Sequence, residues 1–120
     1  MMKDFPEFMR NPANKISTES QYTKNIVGYA FDGVDGSQMA FWTFYQDGES
    51  AVHTHDYDEY MLVVAGQYTL IIDGKHIPVK AGQEYLIKKG IPHGGEVIAG
   101  TRTIECFGGK RVKREGENFP

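Results

Sequence analysis

From Asn25 onward the chain is a succession of short apolar and β-favouring runs broken by turn dipeptides. Residues 25–31 read as a strand ended by Asp32-Gly33 and Asp35-Gly36. Residues 38–45, rich in aromatic side chains, read as a second strand closed by Asp47-Gly48. Residues 50–55 make a third, Asp56-Tyr57-Asp58 a turn, and residues 59–65 a fourth. Gly66-Gln67 is expected to be a tight hairpin into residues 68–72. Asp73-Gly74 is the dipeptide favoured in type I′ hairpins, whose two central residues both take positive φ. Residues 76–79, 83–88, 95–98 and 101–107 complete the set, divided by Ala81-Gly82, Lys89-Gly90 and Ala99-Gly100. Strands separated by turns every 8–12 residues or so predict an all-β sandwich or barrel. No stretch holds a helical period of useful length.

The flanks have a different texture. Residues 1–24 are polar and carry two prolines, and are expected to be an N-terminal arm, either partly ordered or docked. Phe5, Phe8 and Met9 are the side chains with which that arm would dock, onto the domain or onto a neighbouring subunit. Residues 110–120 begin with Lys110-Arg111-Val112-Lys113-Arg114, but Glu115 and Glu117 follow at once, so a solvated polar tail is expected. That leaves residues 25–109 as one domain, in a chain of 120 residues that can bury a single core.

Composition narrows the partners. A net charge of -3 argues against a nucleic-acid surface, which needs clustered basic residues. No apolar run approaches membrane-spanning length, and the first 25 residues lack the apolar core of a signal peptide. Cys106 is the only cysteine, which rules out an intramolecular disulfide and suits a reducing compartment. A cytoplasmic protein is the expectation.

The chemistry gathers in two segments. Of four histidines, His53 and His55 lie within 48–66 together with Glu59, and His93 ends the segment 82–93. His53 and His55 are two apart, so on an extended strand both rings leave the same face, roughly 6–7 Å apart at the backbone. Two imidazoles so placed can converge on one ion at about 2.1 Å. If residues 56–58 turn the chain, Glu59 falls on the neighbouring antiparallel strand, opposite the pair. Gly90-Ile91-Pro92 would deliver His93 from a remote part of the sheet. First-row divalent metals accept three imidazoles and a carboxylate; iron, manganese, nickel, copper and zinc all fit. The lack of thiolate speaks against a structural zinc site of the cysteine-rich kind.

Gly48, His53-Thr-His55, Glu59 and Gly66 resemble the first motif of the cupin superfamily, and Gly82, Gly90 and His93 resemble the second. The gap from Gly48 to His53 is one residue shorter than usual in the family. Lys88 stands where proline is usual, and Val97 where asparagine often occurs. The resemblance covers about residues 25–109. It implies a double-stranded β-helix (a jelly-roll, or cupin, barrel) with His53, His55, Glu59 and His93 as ligands of one divalent transition metal. It also implies a small-molecule ligand and a homodimer, since small cupins commonly pair.

Around that cluster, Met61 and Val63 share the face of Glu59 and are expected to point inward. On residues 38–45 one face carries Met39, Phe41, Thr43 and Tyr45 and the other Gln38, Ala40, Trp42 and Phe44. Both are largely apolar, so the pattern does not choose between them. Arg102, Ile104 and Cys106 share a face; were it inward, Arg102 would clamp a substrate carboxylate, and otherwise it is a surface arginine. Glu96 as general base and Tyr60 as acid or hydrogen-bond donor are further candidates. For Tyr57, Tyr60 and Tyr68, packing is the simpler role. Cys106 is expected to be a small buried hydrophobe, and His76 to be exposed.

With a divalent ion the four ligands leave a positive site, suited to an anionic or enolisable molecule. An octahedral ion would keep two positions open. The leading functional expectation is a metal-dependent dioxygenase or related oxidoreductase. The alternatives are a metal-dependent isomerase, lyase or cyclase, and a non-catalytic module that binds a small ligand or a metal.

Overall fold

The structure, a computed structural model, describes residues 2–117. Three single 3-10 turns, Glu7–Met9, Pro12–Asn14 and Thr18–Ser20, precede nine strands. These are β1 (Ile26–Asp32), β2 (Gln38–Phe44), β3 (Gly48–His53), β4 (Glu59–Ala65), β5 (Gln67–Ile72), β6 (Lys75–Lys80), β7 (Glu84–Ile87), β8 (His93–Val97) and β9 (Arg102–Phe107). They form two antiparallel sheets, of order β1-β2-β9-β4-β7 and β3-β8-β5-β6. This is the all-β arrangement expected from the spacing of turns and the jelly roll that the cupin resemblance implies. Among the described residues no helix is long and apolar enough to cross a membrane.

The core lies between the sheets. Ala40, Trp42 and Phe44 on β2, with Met61 and Val63 on β4, face Tyr68 and Leu70 on β5, Val79 on β6 and Val97 on β8. This decides the face left open on residues 38–45. Gly28 pairs with Trp42 across β1 and β2, and a Cβ there would lie 2.4 Å from Cε3 of the indole. The missing side chain is what lets Trp42 turn inward. Phe41 and Met39 lie on the outer face, where Phe5 of the N-terminal segment packs edge-on against Phe41.

Two sequence expectations need correction. Gly66-Gln67 does not close a hairpin: β4 pairs with β7 and β9, whereas β5 pairs with β6 and β8. Gly66 is the corner at which the chain leaves one sheet for the other. It takes φ of 79°, and Thr101 braces the corner through its hydroxyl, which accepts from the Gln67 amide at 3.1 Å and donates to the Gln67 carbonyl at 3.2 Å. A local dipeptide pattern cannot distinguish a hairpin from a sheet switch, because both need a tight turn with positive φ. Asp73-Gly74, by contrast, does join two paired strands, with φ of 52° and 72°.

The C-terminal segment is the second correction. Val112 is 1% exposed and belongs to the core. Gln38, itself buried, explains how a polar segment reaches it: its Oε1 accepts from the amides of Arg111 and Val112, and its Nε2 donates to the Val112 carbonyl. The amide of Ser17 donates to the Lys113 carbonyl, and Ile16 bridges to Arg114. Both terminal segments therefore lie against the barrel up to residue 117; residues 118–120 of the expected tail lie outside the described residues.

The Gly66 corner yields a graded test. A Cβ at Gly66 would meet the Thr101 Cα at 2.7 Å, whereas one at Gly74 meets nothing within 4 Å. Gly66→Ala should lose roughly 2–4 kcal/mol in urea unfolding from strain plus overpacking, and Gly74→Ala about 1 kcal/mol from φ alone. Equal losses would remove crowding from the account.

Candidate metal centre

His53 ends β3 and His93 begins β8, and the two are direct partners across that pair of strands. An irregularity between Ser50 and His53 shifts the register there, the kind of local bulge that re-aims a side chain. His55 lies just beyond β3, and its carbonyl accepts from the Gly90 amide at 2.8 Å, which ties the His-x-His segment to the turn preceding His93. Glu59 comes from elsewhere. It opens β4, in the opposite sheet, between Ile87 and Phe107. The expectation that Glu59 sits on the strand next to the histidines is thus corrected: residues 54–58 carry the chain across to the other sheet.

One ligand atom from each of His53, His55, Glu59 and His93 lies within 4.8 Å of the others. His55 Nε2 is 3.3 Å and His93 Nε2 3.6 Å from Glu59 Oε1, yet both nitrogens are buried without a well-formed hydrogen bond. The opposite ring nitrogens are all engaged. His53 Nδ1 meets the Ala51 carbonyl at 2.6 Å, His93 Nδ1 the Ile91 carbonyl at 2.9 Å, and His55 Nδ1 the Tyr57 hydroxyl at 3.2 Å. Carbonyl partners fix Nδ1 as the protonated nitrogen and turn the Nε2 lone pairs of His53 and His93 inward, the arrangement found around metal-bound histidines. Buried, unsatisfied acceptors facing one another are costly. A divalent cation removes that cost, so the donor set fits a metal.

The protonation preferences agree in part. Burial, aided by the neighbouring imidazoles, pushes His53 down to about 4, so it stays neutral for coordination. Burial alone would raise Glu59, but its contacts with His55 and His93 outweigh it and hold the carboxyl below its ordinary range. Burial lowers His93, but Glu59 and the Ile91 carbonyl override it and raise the imidazole. A proton therefore competes with a metal at His93.

Three residues that the sequence reading passed over complete the site. Glu105 on β9 is opposite Met61 on β4 and lines the cavity beside the cluster. Its carboxylate accepts from the Thr103 hydroxyl at 2.6 Å. Burial and then the charge of Glu59 raise Glu105 to about 8. Tyr22 stacks on His53 with ring centroids 3.9 Å apart and planes at 11°. Arg111 lies over Tyr22, its Cζ 4.5 Å from the ring centroid, and donates to the Ser20 carbonyl.

The other candidates lie elsewhere. Arg102 is buried on the outer face, under Phe5 at 5.1 Å, opposite Thr43. Tyr60 points to the side opposite Glu59 and Met61, across from Cys106, which is half-buried on that outer face rather than fully buried. Glu96 and His76 are exposed. Alternation along β9 makes one of its two faces inward, and the inward one is Thr103, Glu105 and Phe107.

Residues 40–107 match the family model described as "Cupin domain", a stretch that holds the whole ligand set. The chain belongs to the cupin family. Several solved cupin-like structures resemble it. The polyketide cyclase RemF from Streptomyces resistomycificus has a TM-score of 0.70 at 19% identity, over 98% of this chain and 88% of that one. An RmlC-like cupin from Shewanella frigidimarina has a TM-score of 0.66 at 18% identity, over 82% and 96%. KdgF from a Halomonas species has 0.63 at 14%, over 84% and 94%. At these identities the likeness concerns the cupin fold. Comparison with curated protein sequences gave no match.

Two measurements test the centre. His55→Ala should lose bound divalent metal, read by elemental analysis against protein concentration; wild-type stoichiometry would mean the ligands lie elsewhere. Glu105 supplies a pH signature in the metal-free chain. Its folded pKa of about 8 lies above the ordinary carboxyl value of 4.5, so between those pH values the folded state holds a proton that the unfolded state has released. Its contribution to stability is therefore lost as pH rises through that window, at most about 1.4 kcal/mol per pH unit. Glu105→Gln should flatten the decline between pH 5 and 8, and parallel profiles would contradict the assignment.

Proposed function

We propose that the protein is a metal-dependent enzyme that moves a proton on a small anionic or enolisable molecule, in the manner of an isomerase, lyase or cyclase. The observation that carries this reading is Glu105: a carboxyl group inside the cavity, next to Glu59, with a protonation equilibrium displaced toward neutral pH. A divalent ion held by His53, His55, Glu59 and His93 would supply Lewis-acid polarisation of a bound carbonyl oxygen. A group that gives and takes a proton works best when its pKa lies near the operating pH. In the metal-free fold Glu105 meets that condition, and Thr103 fixes the orientation of its carboxylate.

The surroundings support a small ligand. The cavity has a volume of about 30 Å³, room for one or two water molecules. Trp42, Tyr68 and Leu70 form apolar walls that would exclude bulk water around the reacting atoms. The dioxygenase reading uses the same ligands and open positions, but gives Glu105 no task. That difference is why proton transfer is preferred here. The cyclase among the structural relatives is compatible with it.

The test is isotope exchange. Metal-loaded protein in deuterated buffer is offered a panel of small carbonyl acids, and loss of α-proton signal is followed by nuclear magnetic resonance, with dissolved oxygen recorded in parallel. Exchange without oxygen consumption is expected, and Glu105→Gln should slow it about 100-fold or more while keeping wild-type metal content. Oxygen uptake in place of exchange would support the dioxygenase, and inertness in both assays the non-catalytic module.

A further inference from the structure

Among the described residues that line the cavity, Arg111 is the one arginine or lysine, and nothing in the proposed ligand set accounts for it. It reaches the cavity only because Gln38 pins the backbone of residues 111–112 inside the fold. Its guanidinium lies between two aromatic faces, 4.5 Å from the Tyr22 centroid and 5.8 Å from that of Phe107, with Nη1 given to the Ser20 carbonyl. It has no salt bridge with either Glu59 or Glu105 among the described residues. Arginine stacked on rings keeps its in-plane donors available, and its planar fork matches a carboxylate.

A second observation points the same way. Trp42 is 3% exposed and lines the same cavity, yet its indole N–H has no acceptor. The six-membered ring packs over Gly28, so the pyrrole edge is the side turned away from that strand. A buried donor left unpaired costs about 1–3 kcal/mol, and an acceptor atom from a ligand would remove the penalty. Cationic Arg111, the unpaired Trp42 donor and a divalent ion all ask for oxygen atoms bearing negative charge.

Position adds a further constraint. Tyr22 is the exposed lining residue, whereas Ser50, His53, Glu105 and Arg111 are half-buried, so Tyr22 marks where the cavity meets solvent, with Arg111 stacked on it. They come from the two terminal segments, Tyr22 stacked on His53 and Arg111 over Tyr22. A cavity of about 30 Å³ is smaller than most metabolites, so admitting one requires this pair to move. The guanidinium can do so by exchanging a neutral carbonyl partner for a charged one.

We infer that Arg111 is the specificity-determining residue of the site: it binds one oxygen of a small acid's carboxylate while the other would reach the metal, and with Tyr22 it forms the closure that admits such anions. The inference rests on the metal reading above and names the ligand class that reading leaves general. It needs no bond to be made or broken at Arg111.

The full-length protein loaded with cobalt(II), whose visible absorption reports changes at the metal, is titrated with acetate and separately with neutral imidazole. Arg111→Met keeps the stem and loses the charge; Arg111→Lys keeps the charge and loses the fork. Acetate affinity should fall about tenfold or more in Arg111→Met, from loss of a charged hydrogen bond, and less in Arg111→Lys. Imidazole affinity should stay within about twofold. An equal fall for both probes would make Arg111 merely structural, and an unchanged acetate affinity would remove its role; either overturns the inference. Cobalt stoichiometry on the same samples keeps the readings apart. A wild-type chain that takes up no cobalt sinks the metal reading and this one with it, whereas full cobalt with unchanged acetate binding sinks only the assignment of Arg111.

Discussion

Everything at the working end of this barrel depends on one electrostatic constraint: an anionic carboxylate and three imidazoles meet where water is largely excluded. Glu59 enters from the five-stranded sheet, and the histidines belong to the four-stranded side. The cluster is thus a tie across the gap between two layers that otherwise touch through apolar side chains. Such a tie is stabilising only if the buried charges are compensated. Without a cation, His55 and His93 each keep a buried nitrogen without a proper partner, and the Glu59 charge is shared out among imidazoles and Glu105. The backbone carbonyls of Ala51 and Ile91 hold the rings in place regardless, so the site is organised before any ion arrives.

The terminal segments extend this logic to the mouth of the cavity. One buried side chain, Gln38, satisfies two amides and a carbonyl of the C-terminal segment, and Arg114 adds a bond to the Ala30 carbonyl at 2.7 Å. A polar segment can therefore lie on the core without leaving backbone groups unpaired. The consequence is functional as well as structural, because Arg111 and Tyr22 reach the cluster only through these docked segments. Residues of both terminal segments line the pocket.

What was legible in the amino-acid order follows from the range of each signal. Turn dipeptides and alternation are local, and they revealed the strands, the jelly roll and the Asp73-Gly74 hairpin. The cluster of His53, His55, Glu59 and His93 was legible because its residues lie in two compact, glycine-framed segments. Pairing between distant strands was not. Nothing local separates a hairpin at Gly66 from a sheet switch, or says that Glu59 answers the histidines from across the core. Glu105 was missed for the same reason: its inward direction follows from pairing with Met61, a register of two strands some forty residues apart. Arg111 and Tyr22 were hidden by composition, since charged, proline-containing ends read as solvated until a buried glutamine is known to receive them.

Glu59 and Glu105 also show how a metal bound here would be coupled to a proton. Two carboxyl groups in contact cannot both ionise cheaply in a buried site, so one is lowered and its neighbour raised. The group nearer the imidazoles, Glu59, takes the charge, and Glu105 keeps the proton. A cation bound at Glu59 would draw off part of the negative field that holds Glu105 protonated, and so bring Glu105 closer to releasing its proton. Loading the centre would thereby tune the neighbouring acid. Arg111 acts in the same direction from the mouth, since its charge favours the ionised form of Glu105. An incoming carboxylate that engages Arg111 would offset this effect and favour protonated Glu105 again. The charge states of a bound metal, a bound acid and Glu105 would therefore be linked through low-dielectric space, and the proposed binding of small acids and the proposed proton transfer would have one physical origin.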